Sequence, residues 1–357
     1  MTKVVVAMSG GVDSSVAAAL LKQRGFEVAG MMLRLWSEPG KEDSNRCCTP
    51  DSMAVAKRVA ARLDIPFYVV DAKDVFRRTV VEYFLKGYAA GRTPNPCLVC
   101  NRQIRWEFLL EHALALGAEF MATGHYARTA RDKDGRIVLM KAVDPAKDQS
   151  YVLHVLTQDK LARAMFPVGE YPKSEIRRLA TEFNLAAASR HDSQDLCFLA
   201  GEDYRNFIER NSPEILVPGD ITDTSGKILG RHTGLSRYTI GQRKGLGVSS
   251  PVPLYVISKD AVQNTLVVGT ADELGTRELL VGEINWPGGE SVTSAFRAEV
   301  KSRYTAKAAA AEVQPQGGGK EARIVYDNPQ RDITPGQAAV FYNGDVVLGG
   351  GIILSAR

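Results

Sequence analysis

Long hydrophobic runs and a disulfide framework are both missing from this sequence. No stretch is apolar for long enough to span a membrane. The N-terminus enters an apolar β-type run at once, so we expect neither a membrane anchor nor a signal peptide. Five cysteines among 357 residues are too few for the scaffold of a small secreted protein. We therefore expect a cytoplasmic protein.

A large excess of one charge is missing as well. The chain carries 45 Lys and Arg against 41 Asp and Glu, which gives a mildly basic net charge of +4. This balance permits binding to nucleic acid but does not demonstrate it. A chain of 357 residues is too long for one ordinary core, so we expect two or three domains.

Two common phosphate-binding motifs are also absent. The chain contains neither G-x-x-x-x-G-K-[ST] nor G-x-G-x-x-G, which excludes a Walker-type loop and the dinucleotide fingerprint. Residues 4–15 instead read VVVAMSGGVDSS, a β-branched run followed by a Ser/Gly loop and the start of a helix. Such a loop gathers backbone N–H groups where the helix dipole favours an anion. The alternative is an ordinary Gly/Ser-rich turn.

Apolar strands alternate with amphipathic helices through the first half of the chain. This pattern predicts an α/β fold with a doubly wound parallel sheet. Because ligands bind beyond the carboxyl ends of such strands, residues 9–15 and the Gly124-His125 pair are expected at that edge.

The character of the sequence changes near residue 217, where short β-rich runs and frequent glycines replace the helices. The clearest runs lie at residues 253–258, 265–268, 295–303, 322–326, 338–342 and 346–354. Several short strands at close spacing predict a small C-terminal β-barrel. We expect an α/β domain over residues 1–205, a small connecting domain over 206–280 and the barrel over 281–357.

Three cysteines form the second notable pattern. Residues 93–101 read TPNPCLVCN, which places Cys97 and Cys100 in a C-x-x-C just before a helix predicted over residues 104–116. Thiols at a helix N-terminus are better thiolates. A third thiol, Cys197, follows the acidic loop at residues 192–195. The adjacent Cys47 and Cys48, in a polar loop, are interpreted as incidental.

The residues leave several readings of these cysteines open. A thiolate could attack or carry sulfur, or the three cysteines could hold three corners of an iron–sulfur cluster. Structural zinc is the weakest reading because a closed site needs four ligands. Buried, inert thiols are the remaining alternative.

Several motifs together identify a family. They are SGGVDSS at 9–15, TPNPCLVCN at 93–101, GHYAR at 124–128, KDQSY at 147–151, DSQDLCF at 192–198, YTIGQR at 238–243, PGQ at 335–337 and GGG at 349–351. In this order and spacing the chain resembles the bacterial tRNA-specific 2-thiouridylase (MnmA) family, which belongs to the N-type ATP pyrophosphatase, or PP-loop, superfamily. The resemblance runs from the first strand to the last.

The resemblance implies an ATP- and Mg²⁺-dependent enzyme that adenylates O2 of the wobble uridine of certain tRNAs and replaces that oxygen with sulfur. It implies Cys100 as the nucleophile and Cys197 as the carrier of a persulfide, with a transient disulfide between them. The implied nucleotide contacts are Ala7, Met8, Ser9, Gly10, Gly11, Val12, Asp13, Ser14, Leu33 and Gly124. Asn95, Pro96 and Cys97 would contact the target base, and His125, Lys147, Asp148, Gln149, Arg303, Tyr304 and Gln337 would contact tRNA.

The chain departs from the family at Cys97, where many members carry Asp. Persulfide chemistry and a [4Fe–4S] cluster held by Cys97, Cys100 and Cys197 therefore both stay open. The implied partners are tRNA and a persulfide-carrying sulfur donor, and we expect no membrane contact and a monomer.

Other readings compete with this function. A small-molecule adenylating ligase or amidotransferase would use the same loop but would need no C-x-x-C, and a non-catalytic RNA-binding protein would not need an intact loop. Without a functional role, His125 would be a histidine of the core and residues 147–149 a turn in solvent. Arg303 and Tyr304 would then lie at the rim of the barrel. A basic, Gly-rich region is either a solvated loop or a tRNA contact, and its members are Arg231, His232, Arg237, Arg243 and Lys244.

Overall fold

The computed structural model describes residues 1–41, 49–190 and 196–356, and three β-sheets organise them. The first sheet has five parallel strands in the order β3-β2-β1-β4-β7. They are β1 (Lys3–Ala7), β2 (Glu27–Arg34), β3 (Phe67–Asp71), β4 (Phe120–Thr123) and β7 (Ala164–Met165). The chain direction makes the carboxyl ends of β1 and β4 neighbours.

Helices cover both faces of this sheet. Val4 and Val6 of β1 pack in one apolar cluster, whereas Val5 between them packs in another, as the alternation of a strand requires. The first cluster takes residues of α1 (Val12–Gln23), α2 (Pro50–Arg62) and α9 (Lys173–Glu182). The predicted doubly wound parallel sheet is therefore confirmed.

Two long helices contain π-helical stretches. One consists of α3 (Lys73–Phe76), a π segment (Arg77–Val81) and α4 (Glu82–Ala89), and the other of α5 (Pro96–Val99), a π segment (Cys100–Leu109) and α6 (Leu110–Ala115). The second helix starts at Pro96, not at the predicted residue 104, so the C-x-x-C lies inside its first turns. Proline is well suited to the first helical position because its missing N–H has no helical partner there.

The remaining helices of the described residues are short. They are α7 (Ser150–Leu153), α8 (Gln158–Leu161) and α10 (Tyr204–Asn211), with 3-10 turns at Cys197–Leu199, Pro213–Ile215, Leu235–Arg237, Ala271–Leu274 and Gly317–Gly319.

A second sheet of four strands follows in the order β10-β11-β8-β9. Its strands are β8 (Gly219–Thr222), β9 (Ile228–His232), β10 (Tyr255–Asp260) and β11 (Thr265–Gly269). It encloses its own apolar cluster, built around Ile221, Val256 and Leu266.

The third sheet closes on itself and forms the predicted C-terminal barrel. Six antiparallel strands follow one another in the order β12-β15-β14-β13-β16-β17, and the pairing of β17 with β12 closes the ring. They are β12 (Thr276–Asn285), β13 (Phe296–Lys301), β14 (Ala309–Gln316), β15 (Glu321–Gln330), β16 (Ala338–Asn343) and β17 (Val346–Ala356). The hairpin of β5 (Arg128–Arg131) and β6 (Ile137–Met140) extends this sheet through the pairing of Val346 with Met140.

Among the described residues, no helix is both long enough and apolar enough to cross a bilayer. Cys47, Cys48 and the acidic residues 192–195 lie outside the described residues. The domain boundaries expected near residues 205 and 280 stay predictions.

Candidate active site

The Ser/Gly loop joins β1 to the N-terminus of α1, as the sequence predicts. Ala7 ends β1, Met8 is buried, and Gly11 is the N-cap of α1 with Val12 as its first residue. The hydroxyl of Ser14 accepts a hydrogen bond from the Ser9 backbone N–H at 3.2 Å. The loop thus presents the first-turn N–H groups of a helix, a favourable place for an anion.

Glycine is required at two positions around this loop. Gly10 has φ +74° and a Cβ there would lie 2.3 Å from the Ser52 carbonyl oxygen at the start of α2. Gly124 follows β4, and its Cβ would lie 2.6 Å from the backbone nitrogen of Ser14. Both positions let backbone segments approach the loop more closely than any side chain would allow. Gly124 therefore lies at the loop, where the sequence prediction placed it.

A lysine that the sequence analysis missed completes the loop. Lys173 is buried at the start of α9, and its Nζ lies 2.6 Å from Oδ1 of Asp13. The Tyr126 hydroxyl donates to the same carboxylate oxygen at 2.7 Å. Asp13 and Lys173 thus hold each other as a partly buried ion pair beside the loop. The only available signal was a lysine next to Pro172 at the start of an amphipathic helix.

The barrel holds in place the segment before the C-x-x-C, residues 93–96, which we call the cysteine loop. The Thr93 carbonyl accepts a hydrogen bond from Nε2 of Gln337 at 2.9 Å, and the Thr93 N–H donates to the Pro335 carbonyl at 2.9 Å. The Asn95 side chain accepts from the Cys97 N–H at 3.2 Å and thereby caps the helix that Pro96 opens. Gln337, predicted as a tRNA contact, thus has a structural partner in this loop.

Cys100 and Cys197, 97 positions apart in the sequence, pack against the same apolar cluster. Both side chains are partly buried, and the cluster includes Val99, Ile104 and Phe198. Leu33 and Leu35, at the end of β2, contact this cluster too. They connect the cluster to the sheet edge at which the Ser/Gly loop lies. The structure therefore brings the two predicted catalytic thiols to one region.

Cys97 differs from these two thiols because it is exposed. Within residues 1–41, 49–190 and 196–356, no three His, Cys, Asp or Glu side chains are grouped closely enough to hold a metal ion. The role of Cys97, Cys100 and Cys197 as ligands of a [4Fe–4S] cluster stays a prediction.

His125 is buried beside the helix that begins at Pro96 and contains Cys97 and Cys100, which we call the cysteine helix. Nη1 of Arg105 donates to its Nε2 at 2.7 Å, so Nδ1 carries the proton and donates to the Thr123 hydroxyl at 2.8 Å. Burial, together with the charge of Arg105, holds the pKa of His125 well below its usual value. His125 is therefore neutral and positions Arg105, and its predicted contact with tRNA stays a prediction.

Residues 147–149 form an internal turn. Oδ1 of the buried Asp148 accepts from the N–H groups of Ala142 and Ser150 at 3.0 and 3.2 Å. Oε1 of Gln149 accepts from the Tyr126 N–H at 2.9 Å, and the Lys147 N–H donates to the Asp144 carbonyl. These contacts order the segment beside Tyr126, and the roles of its three residues toward tRNA stay predictions.

Tyr304 of the barrel lies beside the cysteine loop. Burial and the negative charges of Asp148 and Cys97 raise the pKa of its hydroxyl. The residue is 40% exposed, and its ring makes an edge contact with Tyr151 at 6.0 Å between centroids and has Nζ of Lys301 5.5 Å from its centroid. An exposed aromatic face beside Cys97 is suited to contact with a base. Its neighbour Arg303 pairs with Asp332 at 3.3 Å.

Comparison with known proteins assigns the chain to a family. Residues 2–201, 205–270 and 276–353 match the families described as the tRNA methyl transferase HUP domain, the tRNA methyl transferase PRC-barrel domain and the aminomethyltransferase beta-barrel domain. The chain is 46% identical over 355 residues to the tRNA-specific 2-thiouridylase MnmA 2 of Caldanaerobacter subterraneus subsp. tengcongensis, covering 98% of this chain and 97% of that protein. The chain belongs to the tRNA-specific 2-thiouridylase family.

A second member of the 2-thiouridylase family, MnmA of Magnetococcus marinus, is 47% identical over 354 residues and aligns over 99% of both chains. Among solved structures, the NMN synthetase of Francisella tularensis has a TM-score of 0.34 at 16% identity, covering 58% of this chain and 76% of that one. A 4-thiouridine synthetase in complex with RNA and ATP has a TM-score of 0.33 at 18% identity, covering 60% and 51%. At these scores the two structures add nothing to the family assignment.

Proposed function

We propose that this chain catalyses the ATP-dependent 2-thiolation of the wobble uridine of tRNA. The observation that carries the proposal is one sheet edge with two functional parts. It bears a phosphate loop with a buried lysine, and it continues into an apolar cluster that supports two thiols. The relatives named tRNA-specific 2-thiouridylase support the same assignment.

The first step would use the Ser/Gly loop of residues 9–15, which we call the phosphate loop from here on. Uracil O2 attacks the α-phosphorus of ATP, the bond to the bridging oxygen breaks, and pyrophosphate leaves with the electron pair. The N–H groups at the start of α1 and the ammonium of Lys173 would stabilise the charge on pyrophosphate. The adenylate then carries AMP, a far better leaving group than a carbonyl oxygen.

Mg²⁺ would fit the same loop. It is usually held by one or two carboxylates together with substrate phosphates, and Asp13 offers a half-buried carboxylate at the start of α1. When bound, the ion would neutralise charge on the phosphate oxygens. Lys173 and Tyr126 already fix the orientation of this carboxylate.

The second step would use the two thiols, with sulfur supplied by a persulfide-carrying donor protein. The terminal sulfur of a Cys197 persulfide attacks C2, and AMP leaves with the C2–O electron pair. The Cys100 thiolate then attacks Sγ of Cys197, the persulfide bond breaks, and sulfur stays on C2 as the thiocarbonyl. The resulting Cys100–Cys197 disulfide is reduced by a cellular dithiol. In the alternative route a [4Fe–4S] cluster, held by Cys97, Cys100 and Cys197, would supply the sulfur as a bound sulfide.

The wobble base must leave the anticodon stack to reach these groups, which single-stranded loops allow. In the proposal Asn95, Pro96 and Cys97 contact the extruded uracil, since Cys97 is exposed at the start of the cysteine helix. Tyr304 lies on the barrel side of the same loop and would stack on a base. The protein would act as a monomer.

The test is tRNA-dependent pyrophosphate release, combined with nucleoside analysis of the tRNA after incubation with ATP, Mg²⁺ and a persulfide donor. We expect both pyrophosphate and 2-thiouridine, and neither with a tRNA that carries cytidine at the wobble position. Pyrophosphate release that needs a small-molecule acceptor instead of tRNA would overturn the proposal in favour of an adenylating ligase. Thiolation that requires bound iron would overturn the two-thiol route.

A further inference from the structure

A basic cavity of about 650 Å³ lies where α10 meets the four-stranded sheet. Its lining contains three cations, Arg205, Arg237 and Lys244, and no carboxylate. Two of these, Arg237 and Lys244, belong to the basic region that the sequence analysis left undecided between solvent and RNA. A lining whose charged residues are all cations favours a ligand with negative charge.

Two lining residues, together with the chain neighbour of one of them, have buried polar atoms with no hydrogen-bond partner among the described residues. They are the Tyr204 hydroxyl, the Ser236 hydroxyl and Nε of Arg237. Ser236 is 1% exposed. Buried donors without partners are unfavourable and are normally satisfied by protein, water or ligand. Their concentration at one cavity is a second indication of a ligand.

The wall is fixed by its own contacts. Nε of Arg205 donates to the Arg237 carbonyl at 3.0 Å, and the Arg237 guanidinium pairs with Glu209 at 3.2 Å. The Tyr204 ring stacks on Tyr88 at 4.9 Å between centroids. The cavity is therefore a preorganised site that loses little freedom when it binds.

Another cavity, of about 440 Å³, lies at the barrel and provides a comparison. Its two cations are already neutralised, because Arg136 pairs with Glu290 at 2.9 Å and Arg297 pairs with Asp327. In the basic cavity Arg205 pairs with Asp203 and Arg237 with Glu209, each at 3.2 Å. Lys244 is exposed and, among the described residues, has no ion pair, so its charge is available to a ligand.

We propose that the basic cavity binds a backbone phosphate of the RNA substrate, an inference that rests on the proposed function. Tyr204 forms one wall and also packs against the apolar cluster that supports Cys100 and Cys197. A polynucleotide whose base lies at the thiols would therefore have its backbone within reach of the cavity. A phosphate also accepts several hydrogen bonds at once and matches the guanidinium donors of the wall.

The test is the dissociation constant for unmodified tRNA, measured with the full chain across a range of salt concentrations and without ATP or sulfur donor. For Lys244→Glu we expect affinity to fall about tenfold and the slope of log K against log salt to shrink by about 1. The matched control is Lys227→Glu, which makes the same charge change at an exposed position of the β8–β9 turn. It should bind as the wild type does.

Tyr204→Phe keeps the stacking ring and removes only the unpartnered hydroxyl, so it should fold normally. If that hydroxyl holds a phosphate, tRNA affinity should fall at least about threefold, whereas a purely structural tyrosine would leave it unchanged. Equal binding by Lys244→Glu and Lys227→Glu would overturn the inference. Weakened affinity for AMP with unchanged affinity for tRNA, or lost sulfur acceptance from the donor protein with unchanged tRNA affinity, would also overturn it.

These outcomes separate the inference from the proposed function. The binding assay requires no catalysis, so a wild-type protein that binds tRNA but releases no pyrophosphate would contradict the proposed function alone. A protein that thiolates tRNA but binds equally with either lysine variant would contradict the phosphate site alone.

Discussion

The phosphate loop and the cysteine loop lie at one edge of the parallel sheet, but different parts of the chain support them. In residues 9–15 the hydroxyl of Ser15 bonds to the Gly11 carbonyl at 2.7 Å and that of Ser14 to the Ser9 N–H, so the loop is held mainly by its own residues. The cysteine loop is held at Thr93 by a barrel more than 240 positions away. A contiguous motif thus identifies the first site, whereas the second exists only in the folded chain.

Loss of a thiol is the sharpest way to separate the two regions. We expect Cys100→Ser and Cys197→Ser each to reduce thiolation by about 10⁴-fold or more, as removal of a nucleophile does. Pyrophosphate release should persist, because the phosphate loop does not depend on either thiol. The measurement is 2-thiouridine and pyrophosphate in the same reaction. Equal loss of both products would contradict two separate steps.

Lys173→Met should have the opposite pattern. Removing the buried ammonium should reduce pyrophosphate release about 10²–10³-fold, as loss of one preorganised charge donor does, and thiolation should fall in parallel. Stopped assays with saturating tRNA measure the effect. Lys57→Met, on the exposed face of α2, is the control and should retain full activity. Unchanged pyrophosphate release in Lys173→Met would show that Lys173 does not stabilise the departing pyrophosphate.

Acid should weaken the connection between the cysteine helix and the barrel. Helix α7 bridges them, since Asn101 donates to the Val152 carbonyl and Tyr151 donates to the Ala338 carbonyl. Next to it, burial lowers the pKa of His154 from 6.5 to about 4. Within that interval the unfolded chain binds a proton that the folded chain does not, so stability falls as pH falls.

The loss attributable to His154 should approach about 3 kcal/mol at the acid end of the interval. Urea unfolding at several pH values measures it. In His154→Gln the free energy of unfolding should depend less steeply on pH than in the wild type. Identical slopes would show that the imidazole is not buried in its neutral form.

Gln337→Ala tests the support of the cysteine loop directly. Loss of the hydrogen bond to the Thr93 carbonyl should cost about 1 kcal/mol of stability and should reduce thiolation more than the affinity for ATP. Gln263→Ala, at an exposed turn, provides the comparison and should change neither. If ATP affinity fell instead, the two loops would not be supported separately.

Thr49→Ala should produce the smallest effect, on the phosphate side. The Thr49 side chain accepts from the Ser52 N–H at 3.0 Å and caps α2, and the Ser52 carbonyl packs against Gly10. We expect a loss of about 1 kcal/mol of stability and a slightly weaker affinity for ATP, with Thr49→Ser close to wild type. Calorimetry and ATP titration measure both effects.

Local chemistry made the strand–loop–helix arrangement of residues 4–15 predictable. The β-branched run at residues 4–6, the paired glycines and the following helix all depend on neighbours in the sequence, and the parallel sheet follows from the alternation of such units. The start of the cysteine helix was also within reach, since Asn95 and Pro96 form a good N-cap and first position. The sequence analysis places the C-x-x-C before the helix, so the predicted start at residue 104 is too late.

Other features of the structure depend on tertiary contacts and could not be predicted from neighbouring residues. Nothing near Lys173 indicates that its side chain reaches Asp13, 160 positions earlier in the sequence. Strand β14, with three alanines and a proline, lacks the β-branched pattern and is held by its neighbours β13 and β15 in the barrel. The shared cluster beneath Cys100 and Cys197 likewise arises only when the chain folds.

The hydrogen bonds between Thr93 and residues 335–337 have a consequence for biosynthesis. A ribosome makes the N-terminal sheet, the phosphate loop and all five cysteines long before it makes the last strands of the barrel. The growing chain therefore contains residues 9–15 and the strands beside them early, while the segment that leads into the C-x-x-C still lacks its hydrogen bonds to residues 335–337. We expect the arrangement of the thiols to form only once the barrel has been made, so that a product truncated before β16 would bind ATP, if residues 9–15 do so, but would not thiolate tRNA.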